Sequence, residues 1–307
     1  MSVSRAVTAP SPSGLRRMAR DIGNRGTPRT VRRLRGGIDA ATHVIAIGEK
    51  RLVLKRYPQG AAVLPEWEAT TLAYQAGIPA PEPIAVDVDG DWFDSPAIAM
   101  SLLPGAPLLQ PNDRRTYADQ VATSLAAVHD LSTRSLPSPL RRPHRIDVLD
   151  PAATPRTGHL APSTVERVAA VLTKARDALA AKDRVLTHGD FHPGNLLWSR
   201  DRLTGIVDWS GTRPGPLQWE LACFRVELTV LVDRRTANAI LTSYEAVTGH
   251  EAIDQPIWDL VHVLDSHVWM HSWLSAYREQ GRRDLDLDTA RRRLRRLARS
   301  LLADVGG

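Results

Sequence analysis

The sequence is poor in cysteine and has no long apolar stretch. Cys223 is the single cysteine among 307 residues, which excludes a disulfide within the chain and favours a reducing compartment. No hydrophobic run approaches the roughly 18 residues that a membrane-spanning helix needs. The N-terminus also lacks the apolar centre of a secretory signal peptide. We therefore expect a cytoplasmic protein without a membrane partner.

Acidic residues are scarce near the N-terminus, although the formal net charge of the chain is only +6. Residues 1–35 contain nine arginines and one acidic residue, Asp21. Such an excess of positive charge is one property of nucleic-acid-binding segments. However, no aromatic residue lies between the arginines, and no zinc-ligand spacing accompanies them. We expect residues 1–30 to form a basic, partly disordered segment, and we expect no nucleic-acid partner.

Chemically active residue types are concentrated in residues 185–210, which read VLTHGDFHPGNLLWSRDRLTGIVDWS. Short apolar segments flank a loop that carries Asp190 and, five positions later, Asn195. The next apolar segment ends at Asp208, thirteen positions beyond Asn195. This pattern predicts a loop and a hairpin that bring three oxygen-bearing side chains to one end. Phosphoryl transfer needs such a set, because carboxylate and amide oxygens bind Mg²⁺ and another carboxylate can meet a hydroxyl.

The same spacing resembles the protein-kinase catalytic loop, in which the base Asp precedes a magnesium-binding Asn by five positions. The chain has HGDFHPGN in place of the HRD segment and VDW in place of DFG. In these respects it is similar to the aminoglycoside phosphotransferase and choline kinase group, which acts on small molecules. The resemblance implies ATP and Mg²⁺ as cofactors, Asp190 as the catalytic base, and Asn195 and Asp208 as magnesium ligands.

Other interpretations of this loop stay open at this point. His188, Asp190 and His192 are all zinc-ligand types, as in a metal hydrolase, although that leaves Asn195 and Asp208 without a role. A kinase-like protein that binds nucleotide without catalysis, as a sensor or scaffold, is a second alternative. A kinase acting on proteins is disfavoured, because no extended segment ending in A-P-E follows Asp208.

Strand-like segments before residue 103 predict the nucleotide site. Val53 and Lys55 share one face of a predicted strand, because side chains alternate along a strand. The V-A-I-K strand of kinases places its lysine on the nucleotide phosphates, so the resemblance assigns Val53 and Lys55 to the nucleotide. Upstream, Gly36 and Gly37 would allow backbone N–H groups to approach phosphates closely.

A helix predicted over residues 65–76 should carry the acidic partner of Lys55. Two glutamates are available, Glu66 and Glu68, and their spacing places them on different faces of the helix. The family pattern is E-A-x-x-L followed by G-x-P-x-P. The chain matches it with Glu68-Ala69, Leu72 and the segment G-I-P-A-P over residues 77–81, so that Glu68 is the acid of the pattern. We therefore predict that Glu68 pairs with Lys55.

The segment after residue 97 resembles the hinge between the two lobes of the family. A predicted strand over residues 97–102 leads into L-P-G, so the purine would bond backbone groups at Met100, Ser101 and Leu102. Family members often have an acidic residue where Ser101 stands. The sequence therefore leaves GTP open beside ATP.

Hydrophobic periodicity predicts a mostly helical remainder. Its predicted helices cover residues 117–131, 163–182, 217–247, 256–280 and 288–302. The first of them carries His129, which we interpret as structural, and the second begins with a capping-box pattern at Ser163. Glu220 stands where relatives have an Asp before Leu-Ala, and a longer acid there can still bond the catalytic loop.

Residues 211–280, which should face the acceptor, contain nine acidic and five basic residues. This excess suits a cationic acceptor. Asp265, Trp269 and Trp273 recur at helical spacing and could hold a sugar or ammonium group, although packing is the commoner role of such aromatic residues.

The sequence thus predicts an α+β, two-lobed protein-kinase-like fold. An antiparallel sheet with one principal helix would form the nucleotide-binding N-lobe over residues 31–103, and a helical C-lobe would span residues 104–307. The expected activity is ATP-dependent phosphorylation of a small-molecule hydroxyl, on an aminoglycoside-like antibiotic, an amino alcohol or a sugar. The oligomeric state cannot be deduced from the sequence.

Overall fold

The computed structural model of the protein describes residues 9–34, 40–144 and 157–306. The predicted glycine pair, Gly36 and Gly37, lies outside these ranges, as do residues 1–8 of the basic N-terminal segment. In chain order the elements are α1 (Pro12–Asp21), β1 (Pro28–Arg33), β2 (Ala41–Ile47), β3 (Lys50–Arg56), α2 (Leu64–Gln75), β4 (Pro83–Asp87), β5 (Ala97–Ser101), β6 (Ala106–Pro107), α3 (Arg114–His129), α4 (Pro162–Ala180), β7 (Val185–Thr187), β8 (Leu196–Ser199), β9 (Arg202–Ile206), β10 (Arg213–Gly215), α5 (Leu217–Leu231), α6 (Arg234–Thr248), α7 (Gln255–Glu279) and α8 (Leu287–Asp304).

The N-lobe contains a five-stranded antiparallel sheet in the order β1-β2-β3-β5-β4. Alternation along β3 divides its side chains between two environments. Leu52 and Leu54 are buried in a core beneath α1, whereas Val53 and Lys55 line the cleft on the opposite face. The predicted shared face of Val53 and Lys55 is therefore confirmed.

The helix α1 packs on this sheet and makes the basic N-terminal region part of the N-lobe from residue 12 onward. Its N-cap is Ser11, whose hydroxyl accepts the Gly14 N–H, and Ser residues are favoured at this position for that reason. Leu15 and Met18 are buried against the sheet. On the outer side, Arg17 donates to the carbonyl oxygen of Trp92 at 2.6 Å. The arginines of α1 thus lie on the polar face of an amphipathic helix.

In the C-lobe, α5 is the central helix. Almost all of its residues are buried, and it packs against α6, α7 and α8. The single helix predicted over residues 217–247 is in fact two, because α5 ends at Leu231 and α6 begins at Arg234. Asp233 separates them and caps α6 by accepting the Thr236 N–H at 2.7 Å.

The capping box predicted at Ser163 is wrong. Helix α4 begins one residue earlier, at Pro162, and its N-cap residue is Ala161, which makes no side-chain cap. Proline is favoured in the first turn because its missing N–H would have no intrahelical partner there. The proline therefore sets the start of the helix instead of the serine hydroxyl.

The hinge is joined to the catalytic hairpin by β6, which pairs antiparallel with β8. Gly105 precedes this pairing with φ +110°, and a Cβ atom there would lie 2.5 Å from the carbonyl oxygen of Trp198. Only glycine fits this close approach. The hairpin β8–β9 thus lies directly below the hinge and closes the lower side of the inter-lobe cleft.

The predicted two-lobed α+β architecture, with an N-terminal antiparallel sheet and a helical C-lobe, is confirmed. Among the helices of the described ranges, none combines the length and apolarity that crossing a membrane requires.

Candidate active site

A cavity of about 610 Å³ lies between the sheet and the helical lobe. Seven of the predicted site residues line it, namely Val53, Lys55, Met100, Ser101, Leu102, Asn195 and Asp208. Asp190 contacts one of these residues, Asn195, whereas Glu68 lies elsewhere on α2. The end of α7 adds Glu279 and Gln280 to the wall, which the sequence did not predict.

Lys55 connects the two lobes through three short contacts. Its ammonium donates to both carboxylate oxygens of Glu66, at 2.8 and 2.9 Å, and to Oδ1 of Asp208 at 2.9 Å. Burial disfavours the charged ammonium, but the two carboxylates outweigh it and raise the pKa of Lys55. Lys55 is therefore a fixed positive charge at the inner end of the cleft.

The prediction that Glu68 pairs with Lys55 is wrong, because Glu66 occupies that position. Helix α2 buries Glu66 together with Ala69, Thr70 and Ala73, which recur at i, i+3, i+4 and i+7. Glu68 falls on a different, half-buried face of the helix, since two positions correspond to about 200° of rotation. The stripe of small residues was visible in the sequence and would have identified the correct glutamate. The Tyr57 hydroxyl also donates to Glu66.

Asp208 follows β9 in the left-handed region, with φ 67° and ψ 63°. This backbone conformation turns the chain sharply and holds the carboxylate at the cleft, where it accepts from Lys55 and from the Ser210 hydroxyl at 2.9 Å each. Burial opposes ionisation, but the charge of Lys55 prevails and lowers the pKa of Asp208. The carboxylate is therefore ionised at neutral pH.

Asn195 lies between the two aspartates. Its side-chain nitrogen Nδ2 donates to the backbone oxygen and to Oδ2 of Asp190, both at 3.0 Å, and its backbone carbonyl oxygen accepts the Val207 N–H at 3.0 Å. Because Nδ2 is committed to Asp190, the amide oxygen Oδ1 is the atom left for a cation. Asn195 Oδ1 and the Asp208 carboxylate form a set of hard oxygen donors, and such a set fits Mg²⁺.

His188 is a structural residue of the loop. Its Nδ1 lies 3.3 Å from the Asp190 N–H, and its Nε2 lies 3.2 Å from the carbonyl oxygen of Val207, so the neutral Nε2–H tautomer satisfies both contacts. Burial lowers the pKa of His188 in agreement with this assignment. Since both nitrogens are committed to backbone atoms, the zinc-hydrolase alternative for His188, Asp190 and His192 is not supported.

Asp190 belongs to a second set of contacts, made with residues of the C-lobe. Its Oδ2 lies 3.6 Å from Nε2 of His192, whose Nδ1 is 2.8 Å from the Tyr277 hydroxyl. Tyr277 in turn donates to Glu227. Burial opposes both charges, but the pairing lowers the pKa of Asp190 to about 2 and raises the pKa of His192 to about 9. Asp190 is thus an ionised and half-exposed carboxylate.

The loop is anchored from below by Glu220 of α5. Its carboxylate accepts the backbone N–H groups of His188 at 3.0 Å and Gly189 at 2.5 Å, as well as a contact from His129 Nε2 at 3.0 Å. His129 also contacts the Tyr244 hydroxyl at 2.7 Å through Nδ1. These contacts confirm the structural interpretation of His129. They also show that Glu220 bonds the catalytic loop, although its side chain is one methylene group longer than the Asp of relatives.

Gly189 must be a glycine for this loop to close. Its φ is +83°, and a Cβ atom would lie 2.0 Å from the carbonyl oxygen of Gly211 in the segment after Asp208. Asp190 and Asp208 are therefore held near each other partly by a direct backbone approach that no larger residue permits.

Residues 30–255 match the model of the Phosphotransferase enzyme family, APH. The chain belongs to this family. No curated protein matches the sequence at a significant level.

Solved structures of family enzymes have the same fold at low sequence identity. An aminoglycoside-3'-phosphotransferase of type VIII is 22% identical with a TM-score of 0.60, and the match covers 83% of this chain and 99% of that one. A thermostable mutant of APH(4)-Ia, in ternary complex with ADP and hygromycin B, is 15% identical with a TM-score of 0.61 and coverages of 93% and 98%. A choline/ethanolamine kinase family protein from Mesorhizobium loti is 19% identical with a TM-score of 0.60 and coverages of 89% and 88%.

Proposed function

We propose that this phosphotransferase-family protein transfers the γ-phosphoryl group of ATP to a hydroxyl of a small molecule. The observation that carries the proposal is the arrangement of charges around one cleft. The ionised carboxylate of Asp190 lies beside Asn195, and the Lys55–Asp208 pair lies at the inner end of the same cleft. Family membership and the nucleotide complex of a solved relative support the reaction class.

Asp190 would receive the acceptor hydroxyl. A carboxylate with a pKa near 2 is a weak base, so its first role is to orient the hydroxyl by accepting its hydrogen bond. As the hydroxyl oxygen bonds to phosphorus, the bond from phosphorus to the ADP oxygen breaks and the hydroxyl proton becomes acidic. Asp190 takes that proton late in the transfer, in accordance with the loose transition state of phosphoryl transfer.

Lys55 would contact the phosphates of the nucleotide, because its ammonium is a fixed positive charge that lines the cleft. Asn195 and Asp208 would hold Mg²⁺, which when bound neutralises charge on the phosphate oxygens. Glu66 keeps the ammonium in place from the N-lobe side, and the Tyr57 hydroxyl holds Glu66.

The purine would lie against Val53 and the hinge residues Met100, Ser101 and Leu102, all of which line the cleft. The Ser101 hydroxyl accepts the backbone N–H of Glu82 at 2.8 Å, which leaves its own O–H as a donor. Backbone groups of the hinge and the Ser101 hydroxyl would share the recognition of the base. We propose ATP as the preferred nucleotide, and competition between ATP and GTP in a binding titration would test that preference.

A cationic acceptor is part of the proposal. Asp265 and the largely exposed Trp269 lie one turn apart on α7, on the C-lobe side expected to receive the acceptor. Carboxylates and aromatic faces attract ammonium groups. Among the solved relatives, one is in complex with hygromycin B and another is a choline/ethanolamine kinase family protein, which supports a small-molecule acceptor.

The test is an ATP-consumption screen of the purified protein with Mg²⁺ against aminoglycosides, macrolides, choline-like alcohols and sugars. We expect ADP release and a phosphorylated product with one acceptor class, and neither with Asp190→Asn. A magnesium-dependent thermal shift with ATP but no turnover across the whole panel would instead favour a non-catalytic nucleotide-binding protein.

The metal role of Asp208 is tested separately by Asp208→Asn. Replacing the carboxylate by an amide removes a charged magnesium ligand and one partner of Lys55. We expect the affinity for Mg·ATP to fall by about 10-fold or more, since loss of 1.4 kcal/mol of electrostatic stabilisation already corresponds to that factor. Isothermal titration with ATP, with and without Mg²⁺, measures it. Unchanged affinity in the presence of Mg²⁺ would place the metal on other residues.

A further inference from the structure

A second cluster of potential ligands lies within the helical lobe, outside the cleft. Cys223 and Glu227 occupy the same face of α5, one turn apart, and His262 approaches them from α7. Sγ of the cysteine, a carboxylate oxygen of the glutamate and a ring nitrogen of the histidine all lie within 4.8 Å of one another. Each residue is more than nine-tenths buried, with exposed fractions of 8%, 6% and 6%.

The histidine nitrogen that faces this cluster has no hydrogen-bond partner among the described residues. Nε2 of His262 is buried and lies 3.7 Å from Oε1 of Glu227. That separation is too long for a hydrogen bond, yet a buried polar nitrogen normally has a partner. The 3.7 Å separation is close to the distance between two ligand atoms on a tetrahedral Zn²⁺ ion, which is about 3.4 Å when the metal–ligand bonds are near 2.1 Å.

The surroundings of the cluster resemble the outer shell of a metal site. The second carboxylate oxygen of Glu227 accepts the hydroxyl proton of Tyr277, which leaves Oε1 directed at His262. On the other side of the imidazole, Nδ1 of His262 lies 4.0 Å from Oδ2 of Asp265. At that distance the two atoms are not hydrogen-bonded, but the carboxylate lies beside the second ring nitrogen, where metal-bound histidines commonly have one.

We propose that Cys223, Glu227 and His262 bind one zinc-type divalent transition-metal ion. The donor set, one sulfur, one nitrogen and one oxygen, is typical of zinc and is wrong for magnesium or calcium, which prefer oxygen alone. Three protein ligands leave the fourth tetrahedral position to water or another small ligand. The alternative is a metal-free contact in which a protonated His262 pairs with Glu227.

Such an ion would join α5 to α7 beneath the catalytic loop. Its ligand Glu227 contacts Tyr277, and Tyr277 contacts His192 beside Asp190. The inference does not depend on the proposed phosphotransfer, because the ligands lie outside the nucleotide cleft and the readout below involves no substrate.

The test uses Co²⁺ as a spectroscopic substitute for Zn²⁺ in the full-length, untagged protein after treatment with a chelator. Because Cys223 is the only cysteine, any thiolate-to-cobalt charge-transfer band must arise from this site. Burial raises the pKa of the Cys223 thiol, so the free protein should show no thiolate absorption at neutral pH. We expect a near-ultraviolet band that saturates at one Co²⁺ per chain and disappears on addition of one equivalent of Zn²⁺.

Variants separate this site from the cleft. Cys223→Ser should abolish the band, and His262→Gln should strongly weaken Co²⁺ binding, because it removes the nitrogen ligand. Asp208→Asn removes a predicted magnesium ligand and should leave the band unchanged. The wild-type protein decides the question even if a variant does not fold. No charge-transfer band at millimolar Co²⁺, or a band that Zn²⁺ does not displace, would overturn the proposal.

Discussion

The two sides of the catalytic cleft are built differently. The nucleotide side consists of Lys55, Glu66 and Asp208, two residues from the N-lobe and one from the C-lobe. The acceptor side, from Asp190 through His192 to Tyr277, lies within the C-lobe alone. The first set therefore depends on how the lobes are placed, whereas the second is preformed in one folding unit. Perturbations of the nucleotide side should affect stability and nucleotide binding together, and perturbations of the acceptor side should affect chemistry first.

The largest effect should come from Asp190→Asn on the acceptor side. The amide keeps the size of the side chain and an acceptor oxygen but removes the charge that orients the hydroxyl and takes its proton. We expect kcat to fall by about 10²–10⁴-fold, the usual contribution of a general base. ATP affinity should change little, since Asp190 belongs to the acceptor side and is not among the residues that line the cavity proposed for the nucleotide. Steady-state kinetics and an ATP titration measure the two quantities. Retained turnover would remove Asp190 from its proposed role.

Next in size is the difference between Glu66→Gln and Glu68→Gln on the nucleotide side. Glu66→Gln leaves a buried ammonium with Asp208 as its remaining carboxylate, and removing one partner of a buried pair costs about 3 kcal/mol. Glu68→Gln is the matched control on the same helix and should change the free energy of unfolding by less than about 0.5 kcal/mol. Denaturant unfolding compares the two variants. Equal losses would mean that Lys55 does not depend on Glu66.

The sequence predicted the parts of the site that lie in local patterns. Asp190 and Asn195 are five positions apart in one loop, and Val53 and Lys55 alternate in one strand, so their proximity follows from chain geometry. The contact between His192 and Tyr277 could not be predicted in that way, because 85 positions separate the residues and the packing of α7 on the C-lobe brings them together.

A signal for Glu227, which the sequence analysis did not single out, was nevertheless present. Helix α5 is apolar around most of its circumference, and Glu220 and Glu227 are its two acids. Carboxylates are rarely buried unless they have partners, so two of them in such a helix predict buried contacts even when the partners are unknown. The family resemblance identified the catalytic loop as the partner of Glu220, but the sequence does not identify Tyr277 as the partner of Glu227, because tertiary packing brings α7 to α5.

A smaller effect is expected from pH, through the pair of His192 and Asp190. The pKa of His192 is raised to about 9 in the folded protein, so its stabilising contribution is complete below about pH 6.5 and is lost as the pH rises through about 9. Asp190, with a lowered pKa near 2, contributes stability above about pH 4 that is lost as the pH falls toward 2.

This dependence is measured by comparing wild type with His192→Gln. The difference in the free energy of unfolding should shrink by on the order of 1 kcal/mol between about pH 6 and about pH 10, a modest amount because Asp190 is half exposed and solvent screens the pair. A difference that stays constant with pH would show that His192 is neutral throughout and contributes through packing alone.

The smallest predicted effect concerns Tyr244, which supports the acceptor side from two residues away. Tyr244→Phe removes the hydroxyl that contacts His129 and should lower the free energy of unfolding by about 1 kcal/mol. The exposed Tyr74 provides the control, since Tyr74→Phe should be neutral. Turnover should change by less than about 2-fold, because Glu220 keeps both backbone contacts to the loop without Tyr244. A large loss of kcat at unchanged stability would mean that the acceptor side is not preformed and depends on this distant hydroxyl to position Asp190.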